Sequence, residues 1–585
     1  MTYSKIPLAQ TIVQLCKSYG FKNVVISPGS RNAPLIIGFM EDEFFNCYSI
    51  VDERCAAFFG MGISQQTGIP TVLICTSGSA VLNYYPAVAE SYFSNIPLII
   101  ISADRPKHLL NVGDGQTINQ ENVFENHVAY SCNLKIDISP EKAVKNPEKL
   151  EIFKSLENNL ERFIGIQKGI QESNEVEINK AFNLAITKSS PVHINVPFDE
   201  PLYVTTENLL VHPTLMRPLD PKKESVLVDL DSYAEAWNSA HKKMVIIGVL
   251  QPNAIEKELI DTLAKDESVL IFTETTSNIH SALTFPSIDK IIAPLNEADF
   301  KELQPEILLT FGGMVISKKI KAFLRTHSPE QHWHVGENPA LDTYFKLNKT
   351  FNLSSNDFLR EFLPKLNTNK TDYRTKWELV KEKRKIKHKE YIDKIDFSDF
   401  KAFDIILKNI TDKIVLQLSN SATIRYAQLF DIPGNIEVFC NRGTSGIDGS
   451  TSTAVGCSVQ RKEQTLLITG DLSFFYDSNA LWNDYIPSHF RIIVVNNHGG
   501  GIFRILPGDK NSTNFENYFE TIHNLNSKHL CSMFDFEYFE ALDEQELSTN
   551  LKTFFNPSER PRLLEIFTPR KENDKILLEY FEHLK

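Results

Sequence analysis

The sequence holds no apolar run near the ~20 residues that a membrane-spanning helix needs, and none of its eight cysteines stands in a CxxC pair. The first absence predicts a chain without a transmembrane helix. The second leaves Cys16, Cys47, Cys55, Cys75, Cys132, Cys440, Cys457 and Cys531 scattered, with neither a zinc ribbon nor a disulfide framework. Reduced thiols in the cytoplasm are the expected state. Positive charge is also in short supply: 61 Lys and Arg against 74 Asp and Glu give a net charge of −13. A field of that sign argues against a general nucleic-acid or anionic-membrane binder, yet leaves room for a local cationic pocket for small acids. The opening stretch, MTYSKIPLAQTIVQLCKSYG, lacks the basic flank and long apolar core of a signal peptide, and predicts an amphipathic helix. There is no short-period repeat and no low-complexity tract. No convincing GxGxxG follows an early strand, which disfavours a nicotinamide nucleotide enzyme.

What is present is ordinary globular protein: 585 residues, 42% apolar and 23% charged. That length suggests about three or four domains at roughly 100–200 residues each. Three stretches repeat a pattern of apolar strand, turn and helical spacer. The first holds NVVIS (23–27), PTVLICTSG (70–78), IPLIIISADRP (96–106) and PVHINVP (191–197). The second holds KMVIIGVL (243–250), SVLIFTET (268–275), KIIAPL (290–295) and EILLTFGG (306–313). The third holds KIVLQLSNS (413–421), IEVFCNRG (436–443), TLLITGD (465–471), RIIVVNN (491–497) and RLLEIFT (562–568). Continuous apolar strands rich in β-branched residues predict parallel sheets covered on both faces. The expected fold is α/β, with three doubly wound parallel-sheet domains over 1–202, 203–395 and 396–585. Polar intervals near 203–240 and 366–400 separate them; the second predicts a solvated linking helix. Residues 139–185 predict a helical insertion in the first domain.

Ligands of open parallel sheets bind beyond the carboxyl ends of the strands. In the third stretch Gly470-Asp471 closes one strand and Asn496-Asn497-His498-Gly499-Gly500-Gly501 closes the next. Adjacent strand ends would bring Asp471 and Asn497 together. A carboxylate, an amide oxygen and a glycine carbonyl form a hard-oxygen set suited to Mg²⁺, which shares its shell with phosphate. Ser473 and the free N–H groups of the following helix start would meet those phosphates. A Gly-Asp or an Asx residue at a strand end is more often structural when alone. Together, at an interval of 26 positions (497 − 471), they resemble the thiamine diphosphate (ThDP) motif.

That resemblance calls for a carboxylate near the cofactor's aminopyrimidine, normally from another domain. Glu53, in SIVDERCAAFFGMG (49–62), follows a short strand and starts an apolar helix. A capping role is the plain alternative. In this context the carboxyl would bond the ring nitrogen and favour the imino tautomer, which can take the proton from the thiazolium carbon.

Further stretches resemble one family. They are SPGSRNAPL (27–35), DER (52–54), TSGSAVLNYYPAVAE (76–90), ADRP (103–106), QTINQ (116–120), NSATIR (420–425), NRGTSGIDG (441–449), GDLSFFYDSNAL (470–481) and NNHGGGIFRILP (496–507). The family is 2-succinyl-5-enolpyruvyl-6-hydroxy-3-cyclohexene-1-carboxylate synthase, a ThDP-dependent enzyme of menaquinone biosynthesis. The matches span the first and third domains; the middle one matches loosely.

The resemblance implies ThDP with Mg²⁺ (or Mn²⁺), a transferase that decarboxylates 2-oxoglutarate, and 1,4-addition of the succinyl carbanion equivalent to isochorismate with release of CO₂. It makes 1–202 a pyrimidine-binding domain and 396–585 a pyrophosphate-binding domain around a central one. It implies a homodimer or dimer of dimers with shared sites, in the cytoplasm, without nucleic acid or membrane span. Glu53 would be catalytic. Cofactor contacts would come from Glu53, Ile447, Gly470, Asp471, Leu472, Ser473, Asn497, Gly499 and Ile502, the metal being held by Asp471, Asn497 and Gly499. Ser30, Arg31, Arg105 and Gln116 would face isochorismate. Ser421 and Arg425 would hold the distal carboxylate of 2-oxoglutarate, with Arg442 nearby. Phe503 and Leu506 would wall the pocket. Lys318 and Lys319 stand for a Lys-Arg pair of the family; the second position is Lys here, without a bidentate fork. His498 stands where Asn is expected.

Two other readings share this fold. An acetolactate synthase-like lyase acting on pyruvate, with one carboxylate, would not need Arg425 together with Arg442. A non-catalytic cofactor-binding regulator would not need Glu53.

Overall fold

Apolar runs in this chain become strands buried on both faces: every residue of Leu98–Asp104 and of Phe490–Asn496 is shielded from water. Such strands need helices on either side, and parallel pairing with helical crossovers supplies them. The computed structural model describes residues 2–138, 156–217, 229–410, 413–505, 510 and 512–585. Three parallel sheets result. The first orders its six strands as Asn46–Ser49, Asn23–Ile26, Thr71–Cys75, Leu98–Asp104, Val192–Pro197 and Tyr130–Asn133. The second has five: Val269–Thr273, Lys243–Ile247, Ile307–Phe311, Gln331–Val335 and Leu347–Phe351. The third has six: Glu437–Cys440, Val415–Leu418, Thr465–Gly470, Phe490–Asn496, Arg562–Phe567 and Glu537–Ala541. The α/β class with three doubly wound sheets is therefore as the sequence predicts.

The chain divides into two compact units. One comprises 1–222 with the short segments 452–460 and 479–486, and contains the first sheet. The other comprises the remaining residues and contains the second and third sheets. Among the described residues all eight cysteines are free thiols, and no helix is long and apolar enough to cross a membrane.

Three expectations change. KIIAPL is not a strand: Ile288–Ile292 is a helix whose Ile288, Ile291 and Ile292 face the core. A short apolar run fits either structure until its neighbours choose. The charge-dense linker does form a helix, Tyr373–Ile392, but Tyr373, Trp377, Tyr391 and Ile392 are buried, so one stripe is packed rather than solvated. Thirdly, the supposed insertion is structural in its second half. Helix Leu156–Lys188 lays Ile178, Ala181, Phe182 and Ala185 into the first core; 139–155 lie outside the described residues.

One helix matters for the chemistry below. Glu53–Thr67 begins at Glu53, and Asp52 caps it by accepting from Cys55 N at 3.2 Å. Its far half packs backbone to backbone against residues 452–460. A Cβ on Gly62 would sit 2.1 Å from Thr453 O, and one on Gly456 would sit 2.0 Å from Phe59 O. Alanine normally improves a helix interior by roughly 0.5–1 kcal/mol over glycine. Gly62→Ala is expected to reverse that sign and lower stability by about 1–3 kcal/mol, because a carbonyl in a packed core cannot give way. Gly169, in helix Leu156–Lys188 with nothing within 4 Å of its Cβ position, is the control: Gly169→Ala should stabilise. Urea unfolding of both variants reads the two signs.

Candidate active site

In the second unit, strands Thr465–Gly470 and Phe490–Asn496 pair in parallel with Gly470 opposite Val495, so their carboxyl ends finish side by side. Asp471, 3% exposed, opens helix Asp471–Tyr476. Its Oδ1 accepts from Leu472 N at 2.6 Å and its Oδ2 from Gly499 N at 3.0 Å. His523 Nε2 stands 3.2 Å from the same Oδ2, off the hydrogen-bond axis. Asn497 is buried beside it; its Nδ2 donates to Asp399 Oδ2 at 2.9 Å. Among the described residues its Oδ1 is buried and has no hydrogen-bond partner. An orphaned buried acceptor costs about 1–3 kcal/mol unless something fills the site. Burial pushes the Asp399 carboxyl up to about 6, and the charge of Asp471 adds to the rise.

The donor set passes the test for a small hard cation. Among the described residues no cluster of three His, Cys, Asp or Glu side chains offers a closed cage. One carboxylate, one amide oxygen without a partner among the described residues and a glycine backbone form an open half-shell of the kind that Mg²⁺ would complete with water and phosphate. Gly499 has φ 152°, and a Cβ there would meet Glu520 O at 2.6 Å, so only glycine lets the chain pass.

Around this point the sequence-predicted residues fall as follows. Gly470 N donates to Ser419 Oγ at 3.4 Å. The Ser473 hydroxyl, expected to meet phosphate, donates to Ile447 O at 2.6 Å and so holds the segment carrying Ile447, whose side chain is 37% exposed. Ile502 and Phe503 lie in the 3-10 turn Gly501–Ile505. That turn is anchored by Arg504, which donates to the fully buried Glu520 at 2.7 and 3.0 Å. Arg570 donates to Glu520 at 2.8 Å. Leu506 lies outside the described residues.

The same unit gathers cations. Arg425, in helix Ala422–Ala427, donates to Ser421 O at 2.5 Å; Ser421 precedes that helix with φ 68° and makes no side-chain cap. Arg442, 9% exposed, donates to Asn420 Oδ1 at 2.6 Å. Burial, and then the charge of Arg442, lowers the pKa of Arg425. Lys318 and Lys319 open helix Lys318–Thr326, capped by Ser317, whose hydroxyl donates to Asp289. Burial raises the Asp289 carboxyl, while the Ser317 hydroxyl and then the charges of Lys319 and Arg425 pull it down. Lys321 feels Arg442 and Lys318 in turn. Burial pushes Glu274 up to about 7 although Ser317 N and Ile316 N donate to it. Arg425 thus feels Arg442, and Lys319 and Arg425 both act on Asp289, although the three cations come from separate motifs in sequence.

In the first unit, Glu53 is half-buried at its helix start. Asn83 Nδ2 lies 3.5 Å from its Oε2. Its charge adds to the burial that raises the buried Cys75 thiol and Tyr84 hydroxyl. At neighbouring strand ends Arg105 donates to Ser77 Oγ and to Gln116 O, both at 2.8 Å, with Gln116 at φ 56°. Arg31 donates to Phe198 O at 3.1 Å and lies 3.3 Å from Glu200. Buried Asp104 feels both Arg105 and Arg31. Ser30 is exposed on the same loop as Arg31.

Several residues that shape these places carry no sequence signal. Asp399, His523, Glu520, Glu274 and Asp289 reach the site only through folding. Lys321 had a faint one, three positions after Lys318 on one helix face.

Residues 6–128 match the family described as "Thiamine pyrophosphate enzyme, N-terminal TPP binding domain", and residues 226–410 match "Middle domain of thiamine pyrophosphate". A protein of Christiangramia forsetii is 52% identical over 590 residues, and one of Flavobacterium psychrophilum is 50% identical over 584; each alignment covers 100% of both chains. A protein of Porphyromonas gingivalis is 34% identical, covering 100% of this chain and 98% of its own. All three are named 2-succinyl-5-enolpyruvyl-6-hydroxy-3-cyclohexene-1-carboxylate synthase. With thiamine pyrophosphate domains in the right order and full-length relatives at half identity or above, the chain belongs to the 2-succinyl-5-enolpyruvyl-6-hydroxy-3-cyclohexene-1-carboxylate synthase family.

Proposed function

We propose that the protein is a ThDP- and Mg²⁺-dependent transferase. It decarboxylates 2-oxoglutarate and adds the succinyl unit to isochorismate, giving the product named by its family. The observation that carries this reading is the pair of adjacent strand ends in which Asp471 is buried and Asn497 Oδ1 is left without a partner among the described residues. Asp471, Asn497 and the Gly499 backbone would hold Mg²⁺ (or Mn²⁺). Leu472 and the following helix start would sit by the phosphates, while Gly470, Ile447 and Ile502 would line the cofactor's body. When bound, ThDP supplies a nucleophilic carbon for the 2-oxo group and an electron sink for CO₂ loss.

The chain's own residues do the rest. Glu53 would hold a proton at the pyrimidine ring nitrogen. Arg425 and Ser421 would take the distal carboxylate of 2-oxoglutarate, with Arg442, Lys318 and Lys319 adding positive potential. Ser30, Arg31, Arg105 and Gln116 would orient isochorismate. Phe503, with Leu506, would keep water from the reacting carbons. The assembly is taken as a homodimer or dimer of dimers in the cytoplasm, Glu53 of one subunit serving the cofactor of its neighbour. Domain limits of 1–202, 203–395 and 396–585 go with this reading.

The test is incubation with ThDP, Mg²⁺, 2-oxoglutarate and isochorismate. CO₂ and a new ring adduct are expected; pyruvate in place of 2-oxoglutarate should give neither. Turnover of pyruvate at a similar rate would favour the acetolactate synthase-like alternative. A finer check is Arg425→Ala. A hydrogen bond to a charged group is worth about 1.5–3 kcal/mol, and each 1.4 kcal/mol is about tenfold. The KM for 2-oxoglutarate should therefore rise at least ~10-fold with that for isochorismate nearly constant. Equal rises for both substrates would remove Arg425 from the oxo-acid side.

A further inference from the structure

Asn497 can serve a cation only through Oδ1, so the way its amide is turned decides whether the metal half of the site exists. The turn is set by Asp399. Its Oδ2 accepts from Asn497 Nδ2 at 2.9 Å, and its Oδ1 already accepts from Thr568 Oγ1 at 2.6 Å. An amide turned the other way would set two oxygens against each other. Asp399 is itself held from three directions. Thr568 Oγ1 donates to its Oδ1 at 2.6 Å, its backbone N donates to Asn573 Oδ1 at 2.8 Å, and its place is the first residue of helix Asp399–Asn409. Ser398 caps that helix, accepting from Lys401 N at 3.3 Å. The Asp399 side chain is 2% exposed, and Thr568 N donates to Asn496 O at 3.0 Å. Asp399 is thus tied, through Thr568, to the residue preceding Asn497.

We propose that Asp399 is a positioning residue for metal binding: by claiming Nδ2 it keeps Asn497 Oδ1 turned toward the cation. This rests on the cofactor reading above. The role is one step removed from the ion, as with carboxylates that orient other ligands, whose loss typically weakens metal affinity about 10–100-fold.

The test measures Mn²⁺ affinity of the full-length protein with ThDP present, by electron paramagnetic resonance of free Mn²⁺, alongside melting of the protein without additions. Asp399→Ala should weaken Mn²⁺ about 10–100-fold. Asp399→Asn, which keeps size but can present an N–H to either end of Asn497, should weaken it less. The decisive pair uses Asn497→Asp, whose two oxygens are alike and need no orienting. In that background Asp399→Asn should strengthen Mn²⁺ binding, because it removes a like charge beside the introduced carboxylate. A sign reversal between the two backgrounds is not what a purely structural role gives, and the asparagine variants carry the test if the alanine variant does not fold. Equal Mn²⁺ binding by wild type and both Asp399 variants would overturn the proposal. So would a loss in both backgrounds that simply tracks lower melting temperature. Failure of the wild type to bind Mn²⁺ with ThDP would sink the cofactor reading itself.

Discussion

Glu53→Gln is expected to cut the rate of thiazolium proton exchange in bound ThDP by about 10²–10⁴-fold, the range that a positioned general acid–base group supplies. The variant keeps the shape of the side chain and its hydrogen-bonding reach, so cofactor affinity should change little. What it loses is a group that can hold and release a proton at the ring nitrogen. Glu53 also sits at the first residue of a helix, where a negative charge contributes about 0.3–1 kcal/mol against the helix dipole. Melting should therefore fall only slightly, which separates a catalytic deficit from a damaged helix start. The check is quenched-flow deuterium exchange followed by NMR, with binding measured in parallel. Exchange at the wild-type rate would leave Glu53 as a helix-start charge and nothing more.

The second large effect is on binding. Asp471→Ala removes the one carboxylate of the proposed metal set. A ligand bound only by the folded state stabilises it by about 2.7 kcal/mol at 100 times Kd. Wild type should show a clear rise in melting temperature on adding ThDP with Mg²⁺; Asp471→Ala should show none. The alanine also strips the acceptor from Leu472 N and Gly499 N, so the unliganded variant should melt lower. The ligand-induced shift, not the starting temperature, is the measurement that counts. A wild-type-sized shift in the variant would move the cation away from Asp471. Under the proposed homodimer, in which Glu53 of one subunit serves the cofactor held by Asp471 of its neighbour, mixing the Glu53→Gln and Asp471→Ala variants should restore activity in hybrid dimers; no recovery would count against shared sites.

The two strand ends of the proposed metal site were legible because they are local. A strand ending in Gly470-Asp471 and another ending in Asn496-Asn497 are apolar runs that stop at polar residues. Parallel pairing then leaves few places for their ends to go. The three α/β repeats were legible for the same reason, since alternation of buried strand and helix is a pattern within short windows. Strands such as Gln331–Val335 and Leu347–Phe351, with His, Lys and Asn among their residues, were not. Gln331–Val335 is buried at three positions by its neighbours rather than by composition, and Leu347–Phe351 is an edge strand with only Phe351 buried.

By itself, then, the sequence determined the order of strands and turns, the residues at each strand end, and enough motifs to point to the family. Only the tertiary structure decided that Tyr373–Ile392 packs one face instead of standing in solvent, and that KIIAPL becomes helix. Folding also brought Asp289 within the electrostatic reach of Lys319 and Arg425, and set Asp399 against the amide of Asn497. The reason is physical. Pattern and turn chemistry act over a few residues, whereas the amide of Asn497 is oriented by Asp399 98 positions away and the guanidinium of Arg442 by Asn420 22 positions away, and no local period encodes them.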